Sequence, residues 1–167
     1  MEFVLTITAK HTNQNRKVSK WRLRLENELR ERAKFLDFSC QDWKEYLRKR
    51  KLTSSNYDTI VSVDWPHYCY GATEACGGSN GWCYTFQRRQ ANGQLNNKAA
   101  MVDVVAQKFP QIFVEKVVKE VHSLVSCGLL PYPNLRYSGS GEVALGHILA
   151  LKMLCENGIH LWGFSRS

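Results

Sequence analysis

The sequence predicts an α/β fold, a parallel sheet behind a basic helical N-terminal extension. Three observations point there. From about residue 57 onward, short β-branched runs alternate with stretches of helical period, the pattern of parallel strands joined by right-handed crossovers. The formal charge of +8 is lopsided, since residues 1–60 hold 14 Lys/Arg against 8 Asp/Glu. A chain of 167 residues, 44% hydrophobic, suffices for one core and an extension rather than two full domains. The expected division is a basic, mainly helical region over 1–56 and an α/β region over 57–167.

The elements follow in order. Phe3, Leu5 and Ile7 alternate with Val4, Thr6 and Thr8, which reads as an edge strand or an arm. Val18, Trp21, Leu25, Leu29 and Leu36 recur at helical spacing, with arginines on the outer side. Ser39 or Asp42 offers an N-cap for a short second helix through Trp43, Tyr46 and Leu47. Thr53–Asn56 reads as a linker. Residues 59–63 are β-branched and predict a buried strand leading through Asp64, Trp65 and Pro66 into a cysteine-bearing loop. Asn96 or Asn97 can cap a helix to about Lys108; Pro110 interrupts it, and Phe113, Val117, Val121 and Leu124 form the apolar face of a second helix ending at Gly128. Residues 134–138 form a strand candidate, Val143–Glu156 an almost wholly apolar buried helix closed by Asn157 and Gly158, and Ile159–Phe164 a final strand.

Composition excludes several classes. Residues 1–9 lack a basic n-region and break their apolar run with threonines, so they do not read as a secretory signal. No stretch approaches the length of a membrane span. A cytoplasmic protein without membrane contact is expected, and in that reducing setting clustered thiols more often bind metal than form disulfides. No Ser/His/Asp set, paired carboxylates or phosphate loop stands out.

Three of the six cysteines, Cys69, Cys76 and Cys83, lie on one short glycine-rich segment, with His67 just upstream. Two metal chemistries fit. Three thiolates leave one iron of an Fe–S cluster open, whereas three thiolates and His67 close a tetrahedral zinc site. Small buried thiols without metal are the third option. Cys40, Cys127 and Cys155 sit in apolar helical settings and read as core thiols, and His122 and His147 as packed or solvated.

The other strand ends carry polar groups too. After the second strand come Ser138, Gly139, Ser140, Gly141 and Glu142, where glycines allow close backbone approach, hydroxyls can hydrogen-bond and Glu142 can accept from an ammonium group or cap a helix. An ordinary glycine turn is the plainer alternative. Ser165, Arg166 and Ser167 follow the third strand.

Cys69, Cys76, Cys83 and Tyr84 after a first strand, Leu135–Glu142 after a second and Trp162–Arg166 after a third resemble the radical S-adenosylmethionine (SAM)-like proteins of bacteriophages, over about residues 57–167. Six residues separate successive cysteines, against the family's common gaps of three and two. The resemblance implies a partial (β/α) barrel-like sheet, a [4Fe-4S] cluster on Cys69, Cys76 and Cys83, and SAM contacted by Ser140, Gly141 and Glu142. Such barrels have six or eight βα units, so a fragment, a degenerate copy or a sheet completed by a second chain is expected.

The basic extension suggests a partner. Lys20, Arg22 and Arg24, then Arg48, Lys49 and Arg50, are interleaved with Trp21, Trp43 and Tyr46, a combination suited to phosphate neutralisation beside stacking surfaces. A solvated helix face is the alternative. Two functions follow: a radical SAM-like iron–sulfur protein acting on or near nucleic acid, or a non-catalytic, metal-clipped viral accessory or inhibitor protein that binds a nucleic acid or nucleoprotein.

Overall fold

The computed structural model describes residues 20–56, 60–66, 93–141 and 143–163. Two helices come first, α1 (Lys20–Ala33) and α2 (Cys40–Leu47). Ser39 caps α2: its Oγ accepts from the Asp42 backbone N–H, and the Asp42 carboxylate accepts from the Ser39 backbone N–H, 2.8 Å away. That pairing holds the Asp42 carboxyl below its ordinary value, chiefly through the Ser39 side chain. Trp43 and Leu47 carry α2 into the core.

Among the described residues, four strands form one sheet in the order β1 (Thr53–Asn56), β2 (Ile60–Asp64), β3 (Asn134–Ser140), β4 (His160–Trp162). β2, β3 and β4 are parallel, as expected; β1 runs antiparallel to β2. The fold is therefore mixed α/β with an open, mixed sheet, not an all-parallel one, and the four strands do not close into a barrel. The segment expected as a linker is β1. Its polar side chains hid a strand that is held by main-chain pairing at the sheet edge and by Glu120, which accepts from the backbone N–H of Leu52 and Thr53 and from Thr53 Oγ1.

Helices α3 (Gly93–Lys108) and α4 (Pro110–Ser126) connect β2 to β3, and a 3-10 turn (Leu145–His147) followed by α5 (Ile148–Glu156) connects β3 to β4. Pro110 occupies the first turn of α4, where its missing N–H costs nothing. The strand order advances one place at each crossover, which puts both connections on the same face of the sheet. Burial agrees. Val61, Val63 and Leu135 pack with Val102, Val105, Phe113, Val117, Ala150 and Leu154 in the core, and Leu161 packs against it.

The opposite face is polar. Ser62, Arg136 and Trp162 are register partners across β2, β3 and β4, and alternation places Ser54 and Asp64 on their side. The 143–156 segment is less buried than its sequence suggests, with Leu145 92%, Ile148 53% and Leu149 58% exposed. His147, Ala150 and Leu154 are buried, and Val143, Leu151 and Met153 pack against the core from its margin. Cys40, Cys127 and Cys155 are exposed rather than core thiols: Cys40 is the first residue of α2, Cys127 follows the last residue of α4, and Cys155 lies off the buried side of α5. Among the described residues no helix is long and apolar enough to cross a membrane.

Candidate ligand site at the carboxyl ends of the parallel strands

β2 ends at Asp64, and the next two residues run hard against the end of β3. Gly141, at φ +74°, has no room for a side chain: a Cβ there would lie 2.3 Å from the Trp65 carbonyl oxygen and 2.5 Å from that of Pro66. Glycine is required twice over, by the left-handed backbone and by the contact. Ser138 Oγ donates to the Gly141 carbonyl at 2.6 Å and ties the turn. Trp65 Nε1 donates to the Tyr137 carbonyl, and the Tyr137 ring fills the space where a Cβ on Gly163 would fall, 2.6 Å from Cε1. The ends of β2, β3 and β4 are thus locked together.

The expected strand stops at Ser138, with Gly139 and Ser140 in the turn after it, whereas both extend β3 and Ser140 pairs with Asp64. A register irregularity between Ser62 and Asp64 lets β3 carry the additional residues. Gly141 begins the turn.

A buried polar set supports this edge from below. Trp65 stacks on His147 with ring centroids 4.1 Å apart. His147 Nδ1 accepts from the Ala144 backbone N–H at 3.0 Å, so the ring proton sits on Nε2, which donates to Asp103 Oδ1 at 2.7 Å. Asp103, fully buried, also accepts from Arg32 Nε at 2.8 Å and Gln107 Nε2 at 2.6 Å. With both ring nitrogens engaged, His147 holds the Ala144 main chain against Asp103 and has no free lone pair for proton abstraction. One sequence signal pointed to this set: Asp103 is the lone carboxylate in an apolar helical run, a pattern that demands a buried partner.

A second polar set lies along β1. Lys98 Nζ donates to the Thr53 carbonyl and to Ser54 Oγ, and Ser54 Oγ donates to Asp64 Oδ2 at 2.9 Å. Burial pushes the Lys98 ammonium below its ordinary value, opposed by the charges of Asp64 and Glu120.

Cys69, Cys76, Cys83, His67 and Glu142 lie outside the described residues, as do the side chains of Ser140, Lys20, Arg22 and Arg24. The main chain of Gly139 is part of β3, and that of Lys20, Arg22 and Arg24 is in α1. Arg48, Lys49 and Arg50 are exposed, and Arg50 is held in place, its guanidinium 3.8 Å from the Tyr46 ring centroid and donating to the Tyr46 carbonyl. Trp43 offers no stacking surface for a base. It is fully buried among Phe35, Phe38 and Tyr46. Comparison with protein-family models, curated proteins and solved structures finds no match to this chain.

Proposed function

We propose that this is a radical SAM-like, phage-related iron–sulfur protein that works on or near nucleic acid. The contact of Gly141 with the Trp65 and Pro66 carbonyls carries this reading, because it joins the glycine turn to the start of the cysteine segment. Cys69 follows Pro66 by three residues, and three peptide steps span at most about 11 Å. A ligand on the turn and a metal on the thiols would therefore be neighbours. The one-directional order of β2, β3 and β4, with the helices on a single face and the glycine turn at the carboxyl end of β3, also suits a segment of barrel-like sheet.

The donor set fits such a group: Cys69, Cys76 and Cys83 would hold a [4Fe-4S] cluster, and Ser138, Gly139, Ser140, Gly141 and Glu142 would contact SAM. When bound, the cluster supplies an electron to the sulfonium of SAM. The protein's own part is to fix the two segments against each other. Anaerobic purification with iron and sulfide analysis and a visible spectrum tests the reading. About four irons per chain, with a spectrum that responds to SAM and is lost in the triple Cys69→Ala, Cys76→Ala, Cys83→Ala variant, is expected. One zinc per chain, or a folded protein without metal, refutes it.

The exposed run Arg48–Lys51 favours a second reading, a non-catalytic accessory or inhibitor protein with a zinc-clipped loop that binds a nucleic acid or nucleoprotein. Changing Arg22, Arg24, Arg48 and Arg50 together to Gln is expected to weaken polyanion binding and flatten its salt dependence. Unchanged binding makes the basic surface a solvated face.

A further inference from the structure

Among the described residues, the polar face of the sheet holds a cation without a counter-ion. Arg136 lies at the centre of β3, half-buried, with Ser62 beside it on β2 and Trp162 on β4. Its Nε is buried and has no hydrogen-bond partner. Among the described residues the guanidinium enters no ion pair. The guanidinium lies over the Trp162 ring, with Cζ 5.7 Å from the centroid. A buried guanidinium nitrogen left without a hydrogen-bond partner is costly, and an anion bound there would remove that cost.

We propose that Arg136, flanked by Ser62 and Trp162, binds an oxyanion, the carboxylate or phosphate of a small ligand, on the sheet face opposite the helices. The planar fork of the guanidinium matches the two oxygens of either group, and the Trp162 ring restricts the side chain from one side. Ser62 is buried beside it, with its Oγ 3.5 Å from the Ser54 carbonyl, at the outer limit of a hydrogen bond. Asp64 shares this face, but its Oδ2 accepts from Ser54 Oγ and its charge is opposed by Lys98. The site is independent of the cysteine segment and does not rest on the metal reading.

Thermal unfolding in sodium chloride, sodium phosphate and sodium acetate at matched ionic strength tests it with wild type, Arg136→Met and Arg136→Lys. In wild type, phosphate or acetate raises the midpoint with the logarithm of its concentration, by about 5–10 °C at a hundredfold excess over Kd. Arg136→Met loses that response and, in chloride, unfolds no more readily than wild type. Arg136→Lys, a point charge without the fork, keeps only part of it. A response to phosphate alone assigns a phosphate-bearing ligand, and one to acetate alone a carboxylate. An equal response in Arg136→Met, or none above chloride in wild type, overturns the site. Should Arg136→Met fail to fold, the Arg136 Nε–H resonance of wild type titrated with each anion decides the matter, and an unmoved resonance refutes the proposal.

Discussion

Substituting Gly141 by alanine probes the junction between the glycine turn and the residues that lead into the cysteine segment. Two costs add. An L-residue at φ +74° costs about 1–2 kcal/mol from Cβ sterics. The methyl would also fall 2.3 and 2.5 Å from two carbonyl oxygens of the main chain, neither of which can swing aside as a flexible side chain would. Relieving that overlap means moving Trp65–Pro66 or the end of β3, at about 1–3 kcal/mol by analogy with overpacked cores. Gly158 and Gly128 provide the control: their φ angles are +79° and +78°, and an added Cβ at either meets nothing within 4 Å. They bear the backbone cost alone, and the entropy that alanine removes from the unfolded chain is common to all three. Urea unfolding should therefore place Gly141→Ala about 1–3 kcal/mol below Gly158→Ala, which for a chain of this size is about 2–4 °C of midpoint per kcal/mol. If the three variants lose the same stability, the close approach of the turn to Trp65 and Pro66 is not a real constraint.

Two further substitutions read the buried polar sets. Asp103→Ala strands the His147 Nε2 proton inside the protein and should cost about 3 kcal/mol or more, while Arg32 and Gln107, nearer solvent, recover water. Near-UV circular dichroism should report the loosened Trp65–His147 stack, and a loss under about 1 kcal/mol with an unchanged spectrum would contradict the support role given to Asp103. Lys98 sets a pH dependence. Because its folded-state value lies below the ordinary 10.5, the unfolded chain holds a proton that the fold releases between those two values, so stability rises with pH across that window. Lys98→Met removes this contribution; urea midpoints of wild type and variant measured from neutral pH to about 10.5 should show the smaller rise in the variant.

Much of the scaffold was legible because its signals are periodic and local. The β-branched run ending at Val63 marks β2, and Phe113, Val117 and Val121 behind Pro110 mark α4. Gly158 closes α5 with a positive φ, as its place after Asn157 suggests. What escaped depends on partners distant in sequence. Thr53–Asn56 is a strand only because β2 pairs with it, a relation that its polar residues do not encode. The apolar run from Val143 does not say which of its sides finds a neighbour, and Leu145, Ile148 and Leu149 lie on the side that does not. Of the candidate site, the glycine turn was legible, and its seating against Trp65 and Pro66 was not. The support beneath it joins Arg32, Asp103 and His147, residues far apart in sequence that tertiary packing alone brings together.

The antiparallel hairpin made by β1 gives the sheet a direction of growth. β2 has both flanks occupied, by β1 on one side and β3 on the other, so no later strand of the same chain or of another can claim it. Any parallel extension must start from the far flank of β4, and a ring built that way would have to seal through β1 by an antiparallel seam. Among the described residues, further strands parallel to β2, β3 and β4 would thus find a parallel neighbour only beyond β4, and beside β1 they would meet an antiparallel one.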